Sequence, residues 1–265
     1  MIRSFVSCLI LLSIVAGPVK LSTWTIVAAD PVTGAVGVAG ASCVPSTPAD
    51  AVAVLVPGKG AAVAQATWDL VNRNKVYELL RLGQPAEGII RQVTDRAFDD
   101  GVEDRQYGVV TILKGTVKVA AFTGKDTSTW AGSQSDLSRA VTVQGNILAG
   151  PSVVADALRA FKSDDSVRGN TLQDRLMRAL EAGSRAGGDI RCNNARVKQT
   201  AATAFILVAR GGDAPYAALD FGVTDQGTKK APWLAISVAE AQFGPNPVIK
   251  LRAKYDDWRK TNRRQ

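Results

Sequence analysis

Thr23-Trp24-Thr25-Ile26-Val27-Ala28-Ala29-Asp30-Pro31-Val32-Thr33-Gly34 is the stretch on which the fold turns. Its first six residues alternate and are rich in β-branched side chains, the pattern of a strand. Asp30 to Gly34 then carries turn chemistry: proline presets φ, and Gly34 accepts a positive one. Ala35 to Ser42 follows as a second strand of small residues, so Thr23 to Ser42 reads as a β-hairpin.

Outward from that hairpin, Cys43 to Asp50 reads as a loop with Pro45 and Pro48. Ala51 to Val56 and Gly60 to Thr67 are strands around Pro57-Gly58. Apolar spacing predicts helices over Leu70 to Leu82 and, after Gly83-Gln84-Pro85, over Ala86 to Phe98. Asp104 to Phe122 is a second hairpin with its turn at Lys114-Gly115. A strand at Ala140 to Gln144 leads to Pro151, which opens a helix, and Thr171 to Ala186 is another. Strands at Thr200 to Arg210 and Tyr216 to Val223 come next. After a loose stretch, a final helix begins at Asn246-Pro247. Blocks of strands and helices segregated in this way argue an α+β architecture rather than a βαβ repeat. No composition shift divides residues 23–265, which read as one domain.

The 265 residues are 46% apolar and 21% charged, which excludes disorder and low-complexity classes. The decisive count is zero histidines. Neither a Ser-His-Asp nor a Cys-His arrangement can exist, and any hydrolytic base must be an amine, a carboxylate or a lysine. No metal-ligand cluster and no dinucleotide fingerprint is visible, and no cofactor is implied. Gly40-Ala41-Ser42-Cys43-Val44 is not a nucleophile elbow.

Residues 1–22 read as a signal peptide with a short pro-segment. Arg3 gives a positive start, and Phe5 to Ala16 is an apolar run well short of the roughly 20 residues that span a bilayer. Ile14-Val15-Ala16 offers a cleavage end before Gly17 and Pro18. The protein is therefore expected in the periplasm or outside the cell, without stable membrane insertion. Losing Arg3 and Lys20 takes the basic residues from 32 to 30 against 24 acidic ones, so the net charge falls from +8 to +6. Part of that excess lies in Lys254, Arg259, Lys260, Arg263 and Arg264, a solvated helix end. No stripe of basic and aromatic residues points to nucleic acid.

Thr23 heads a strand just after this segment. An N-terminal threonine can be a nucleophile with its own α-amine, of pKa about 7.7–8.0, as base. Threonine is also simply common in strands. Cysteines fall from three to two on export, and Cys43 and Cys192 are expected to pair in an oxidising compartment. Their Cα atoms should then lie about 4.4–6.8 Å apart. The other readings are two buried thiols, or one thiol acting in place of Thr23.

The stretch from Thr23 to Gly34 with Val36-Gly37-Val38-Ala39 resembles the opening of the bacterial family DUF1028. Asp104 to Val110, Phe122-Thr123-Gly124, Trp130-Ala131-Gly132, Val143 to Pro151, Ala186 to Asp189 and the Asn246-Pro247 helix extend the resemblance over nearly the whole chain. It implies the N-terminal nucleophile hydrolase fold, a four-layer αββα sandwich, and amide hydrolysis with Thr23 as nucleophile. Some relatives carry an appended peptidoglycan-binding domain, which hints at a cell-wall or peptide amide. This chain departs at Ser42-Cys43, where relatives often read Ser-Lys, so the lysine that would assist the nucleophile is replaced by Cys43.

Each further candidate carries two readings. Asp30 is the first residue of a turn or orients the active-site amine. Asn146 donates to an oxyanion or caps a turn. Asp104 and Arg105 form a local ion pair or bind backbone at a strand start, or else contact substrate. Asp189 is a loop hydrogen-bond acceptor rather than a metal ligand. The expected partner is a small-molecule or peptide-like substrate, and a homo-oligomer is compatible with the sequence. The rival to catalysis is an exported binding protein that keeps the fold but never frees the Thr23 amine. Its test is whether the mature chain starts at Thr23, since Gly17 to Ser22 would otherwise block the amine.

Overall fold

Strand β1 spans Lys20–Leu21, β2 spans Thr23–Ala29 and β3 spans Val36–Ser42 in a computed structural model. It describes residues 20–21, 23–44, 49–164, 169–194, 196–217 and 232–262. The apolar leader, Ser22, Pro45, Pro48, the strand expected beyond Ala217, and Arg263 and Arg264 lie outside the described residues.

Strands β2 and β3 pair antiparallel, with Thr23 opposite Ser42 and Ala29 opposite Val36. Asp30 closes their turn: Oδ1 accepts from the Val32 N–H at 2.9 Å, and Oδ2 accepts from the Thr33 hydroxyl at 2.8 Å. Gly34 holds φ at 71°, the conformation that a Cβ would oppose.

The remaining strands are β4 (Ala53–Val56), β5 (Gly60–Thr67), β6 (Arg105–Leu113), β7 (Thr116–Thr123), β8 (Gly132–Asp136), β9 (Val141–Gly145), β10 (Thr203–Ala209), β11 (Tyr216–Ala217) and β12 (Leu234–Ala239). They form two antiparallel sheets. The first has the order β11-β4-β5-β6-β7 with β1 added on β5, and the second has the order β12-β10-β3-β2-β9-β8. Five helices cover them among the described residues: α1 (Leu70–Arg81), α2 (Ala86–Val93), α3 (Ser152–Lys162), α4 (Leu172–Arg185) and α5 (Pro247–Thr261).

Three apolar clusters hold these parts together. Val76, Leu80, Ile89 and Val93 of α1 and α2 cover Val54, Ala62 and Val109 of the first sheet. Phe161, Leu176, Leu180, Leu251 and Tyr255 of the other helices cover Trp24, Ile26, Val143 and Ile206 of the second. Between the sheets, Val27, Val38, Phe205 and Leu207 meet Leu55, Val63 and Val110. Alternation along β2 therefore sends Trp24 and Ile26 toward the helices and Val27 toward the other sheet. All seven residues of β2 are buried, as a strand covered on both faces requires.

Several expectations shift at their edges. The second helix stops at Val93 rather than Phe98. The strand expected from Ala51 begins at Ala53 after a 3-10 turn, and that expected from Thr200 begins at Thr203. Strand β8 lies where the sequence carries no expectation, and β12 lies in the stretch expected to be loose. Gly132–Asp136 is polar because it is an edge strand with its middle residues exposed, so no apolar alternation marks it.

Candidate functional site

The inter-sheet space is apolar over most of its length and polar at one end, where β2 begins. Thr23 and Thr25 face the same way as Val27, toward the first sheet, and three buried glutamines meet them. The Thr25 hydroxyl donates to Gln65 Oε1 at 2.8 Å, and Gln144 Nε2 donates to that hydroxyl at 2.6 Å. Gln65 Nε2 donates to the Thr23 carbonyl at 3.2 Å and to Gln106 Oε1 at 2.8 Å. Asn146 joins from the second sheet: its Nδ2 donates to Gln106 Oε1 at 3.0 Å, and its backbone N–H donates to the Thr23 carbonyl at 3.3 Å. Gln106 Nε2 donates in turn to the Gly145 carbonyl and the Thr123 hydroxyl, both at 2.9 Å.

Gln106 thus stitches the two sheets together beside Thr23. It is wholly buried, and so is Gln144. Unsatisfied amides in such a place would each cost about 1–3 kcal/mol, so the network is held by mutual satisfaction. Gly108 on β6 makes the room, since a Cβ there would stand 2.1 Å from Gln144 Oε1. Thr23, Ser42 and Thr203 form a row of hydroxyl residues across β2, β3 and β10, and the Thr203 hydroxyl donates to the Ser42 carbonyl. A cavity of about 470 Å³ adjoins the network. Its lining includes Thr123, Gly132 and Trp130, and the first two bond to Gln106 Nε2.

The structure brings Thr23 and Asn146 together. It separates Asp30 from them, which corrects the expectation that Asp30 orients the amine. Asp30 follows β2 at its far end, roughly 20 Å of extended strand away, and both its carboxylate oxygens are spent on its own turn. Asp104 and Arg105 do not pair with each other, but Arg105 does bind backbone at a strand start, as one of their readings had it. Arg105 instead grips Asp99, Nε to Oδ2 at 2.7 Å and Nη2 to Oδ1 at 3.1 Å, while its Nη1 donates to the Thr67 carbonyl at 2.6 Å. Arg105 therefore anchors the end of β5 next to β1. The backbone N–H of Asp104 closes a 3-10 turn onto Gly101.

Burial pushes the Asp99 carboxyl up. The hydrogen bonds from Arg105 and Asn72 outweigh it and hold the group below the usual carboxylate range. Asn72 also donates to the Tyr107 hydroxyl at 2.7 Å, and burial pushes that phenol up to about 12.

Cys43 and Cys192 are joined by a disulfide with Cα atoms 5.6 Å apart, inside the expected window. Asp189 is a loop acceptor: fully buried, it takes the Cys43 N–H at 3.0 Å and a two-pronged contact from Arg191. Among the described residues no group of three or more Cys, Asp or Glu is placed to hold a metal ion. A second cavity, of about 520 Å³, lies on the helix side of the second sheet, lined by Arg185, Lys198, Asn193 and Asn246, and no residue of the Thr23 network lines it.

Sequence reasoning missed Gln65, Gln106 and Gln144 as site residues. The available signal was an amide inside each of three predicted strands, and the structure puts all three on the inter-sheet face with Thr25.

No curated protein matches the chain. Among solved structures, it is similar to the crystal structure of protein SPO2555 from Silicibacter pomeroyi, a DUF1028 protein. The two share 23% identity over 90% of this chain and 89% of that one, with a TM-score of 0.66. That likeness is one of fold. The model for the "family of unknown function (DUF1028)" matches residues 23–232, beginning at Thr23, and the chain belongs to that family.

Proposed function

We propose that this chain is the precursor of an exported N-terminal nucleophile hydrolase that cleaves an amide bond in a cell-wall or peptide-derived substrate. In this reading residues 23–265 are one domain with the four-layer αββα sandwich of that class. Cleavage between Ser22 and Thr23 frees the α-amine, which takes the proton from Thr23 Oγ1 as that oxygen attacks the substrate carbonyl. The leaving amine departs with the proton, and water hydrolyses the Thr23 ester. Asn146 and neighbouring backbone N–H groups bind the oxyanion.

The observation that carries the reading is the placement of Thr23. It opens β2 at the polar end of the inter-sheet space, against Asn146, Gln65 and Gln106. The family match that begins at this same residue supports it. Export to the periplasm or beyond is supported by the Cys43–Cys192 disulfide and by the signal-like leader. No helix among the described residues is long and apolar enough to cross a membrane.

N-terminal sequencing and intact mass of the exported protein test the reading, with a start at Thr23 expected. Thr23→Ala should abolish turnover with the fold intact, and Thr23→Ser should retain part of it. A mature start at Gly17, or an alanine variant with unchanged turnover, overturns it. The second reading, a binding protein that never frees the amine, draws on the pairing of β1 with β5 in the uncut chain. The same sequencing separates the two.

A further inference from the structure

Strand β1 is the one strand of the first sheet that stands off its linear order. β6 pairs with β5 from Gly60 to Ala66, and β4 takes the opposite side only from Gly60 to Val63. Past Val63, no strand among the described residues other than β1 takes that side of β5. Lys20 and Leu21 fill it, antiparallel, with Lys20 opposite Thr67 and Leu21 opposite Ala66. One residue later the chain enters β2, in the other sheet. Between Leu21 and Thr23 the chain therefore passes from a segment laid on the first sheet to a strand embedded in the second.

We infer that the β5 edge at Ala66–Thr67 is the acyl-side subsite of the enzyme, and that its substrate is an extended peptide rather than a small amide. The inference rests on the proposed hydrolase reading. In self-cleavage, Thr23 Oγ1 attacks the Ser22 carbonyl, the carbon–nitrogen bond to Thr23 breaks, and the nitrogen takes the hydroxyl proton and becomes the α-amine. Water then hydrolyses the ester and releases a chain ending in the Ser22 carboxylate. The acyl part of that first turnover is the segment carrying Lys20 and Leu21. Later turnovers use the same oxygen and the same oxyanion donors, so their acyl part must approach along the same line. Departure of the segment uncovers the backbone groups of the one β5 residue, Ala66 or Thr67, that exchanged hydrogen bonds with it, the template that strand addition uses.

Two features hold this edge ready. Arg105, braced by Asp99, fixes the Thr67 carbonyl at 2.6 Å. Ala66 keeps φ at 75°, a left-handed conformation unfavourable for alanine, at the residue opposite Leu21. Backbone pairing supplies the affinity there.

The test begins with the full chain, matured as it is made, its N-terminus read by sequencing. The mature protein is then given acetyl-Val-Lys-Leu-Ser p-nitroanilide and acetyl-Ser p-nitroanilide. The longer substrate is expected to show a kcat/KM about thirtyfold higher, from two net backbone hydrogen bonds. Antiparallel partners alternate between bonded and non-bonded pairs, so N-methylation at either Lys or Leu, and not at both, should remove that advantage. A mature protein starting at Thr23 that cleaves both anilides equally, or neither, overturns the inference alone. Equal cleavage of the parent and both methylated forms does the same. An N-terminus other than Thr23 overturns the hydrolase reading and the inference with it.

Discussion

The backbone N–H of Asn146 donates to the carbonyl oxygen of Thr23 at 3.3 Å, one step beyond the last β2–β9 pair, Trp24 with Gly145. The strand ladder thereby fixes the one residue of the Gln-Gly-Asn run that faces Thr23. Everything else at this end of the inter-sheet space is arranged around that rung, and Gln106 is its hub.

Gln106→Leu should be among the most destabilising single changes in the molecule. Gln65 Nε2 and Asn146 Nδ2 would lose a shared acceptor, and the Gly145 carbonyl and Thr123 hydroxyl would lose a donor. Stranding these buried groups should cost about 2–4 kcal/mol. A urea midpoint that moves no more than for an exposed substitution would show that the network carries little stability.

The hairpin, the two helical blocks and the α+β class were legible because apolar alternation and turn residues dictate them locally. Lys114-Gly115 is such a case, with both residues at positive φ in the turn between β6 and β7. The site was legible only at Thr23 and Asn146. The glutamines come from strands far apart in sequence, and only the stacking of two sheets brings Gln65, Gln106 and Gln144 together. Asp30 misled because a turn acid and an active-site acid look alike until strand length separates them. Arg105 misled because its partner, Asp99, lies six residues back rather than beside it.

The disulfide closes a sequence separation of 149 residues. Chain entropy alone gives it an upper value of about 5 kcal/mol. Cys43→Ser with Cys192→Ser is therefore expected to lower the unfolding free energy by several kcal/mol. No free thiol should titrate in unfolded, unreduced protein made as residues 23–265 in an oxidising compartment. Two titratable thiols would show that Cys43 and Cys192 are not bonded in the purified protein.

Asp99 offers a test by pH. Its carboxyl is buried and bonded to Arg105 and Asn72, with a folded pKa below the ordinary 3.8. A lowered folded pKa gives stability that is present above the unfolded value and lost as pH falls through the folded one. Asp99→Asn should therefore lower the urea midpoint at neutral pH, by about 1–3 kcal/mol in free energy. The gap to wild type should shrink as pH falls below about 4. A gap independent of pH would mean that shape at this position, rather than charge, holds the end of β5.

Asn146 is the residue where structure and chemistry can be told apart. Its backbone N–H survives any substitution, so the rung to Thr23 persists in Asn146→Ala while the Nδ2 bond to Gln106 is lost. If the side-chain amide binds the oxyanion, kcat should fall about 10²–10³-fold with KM little changed, because that interaction exists only in the transition state. Stability should fall by about 1–3 kcal/mol, the cost of deleting a buried hydrogen-bonding side chain. Steady-state kinetics on the mature protein, paired with a urea titration of the same preparation, separates the two effects. A kcat that drops only as far as the folded fraction drops would reduce Asn146 to a brace for Gln106 and leave the oxyanion to backbone N–H groups alone.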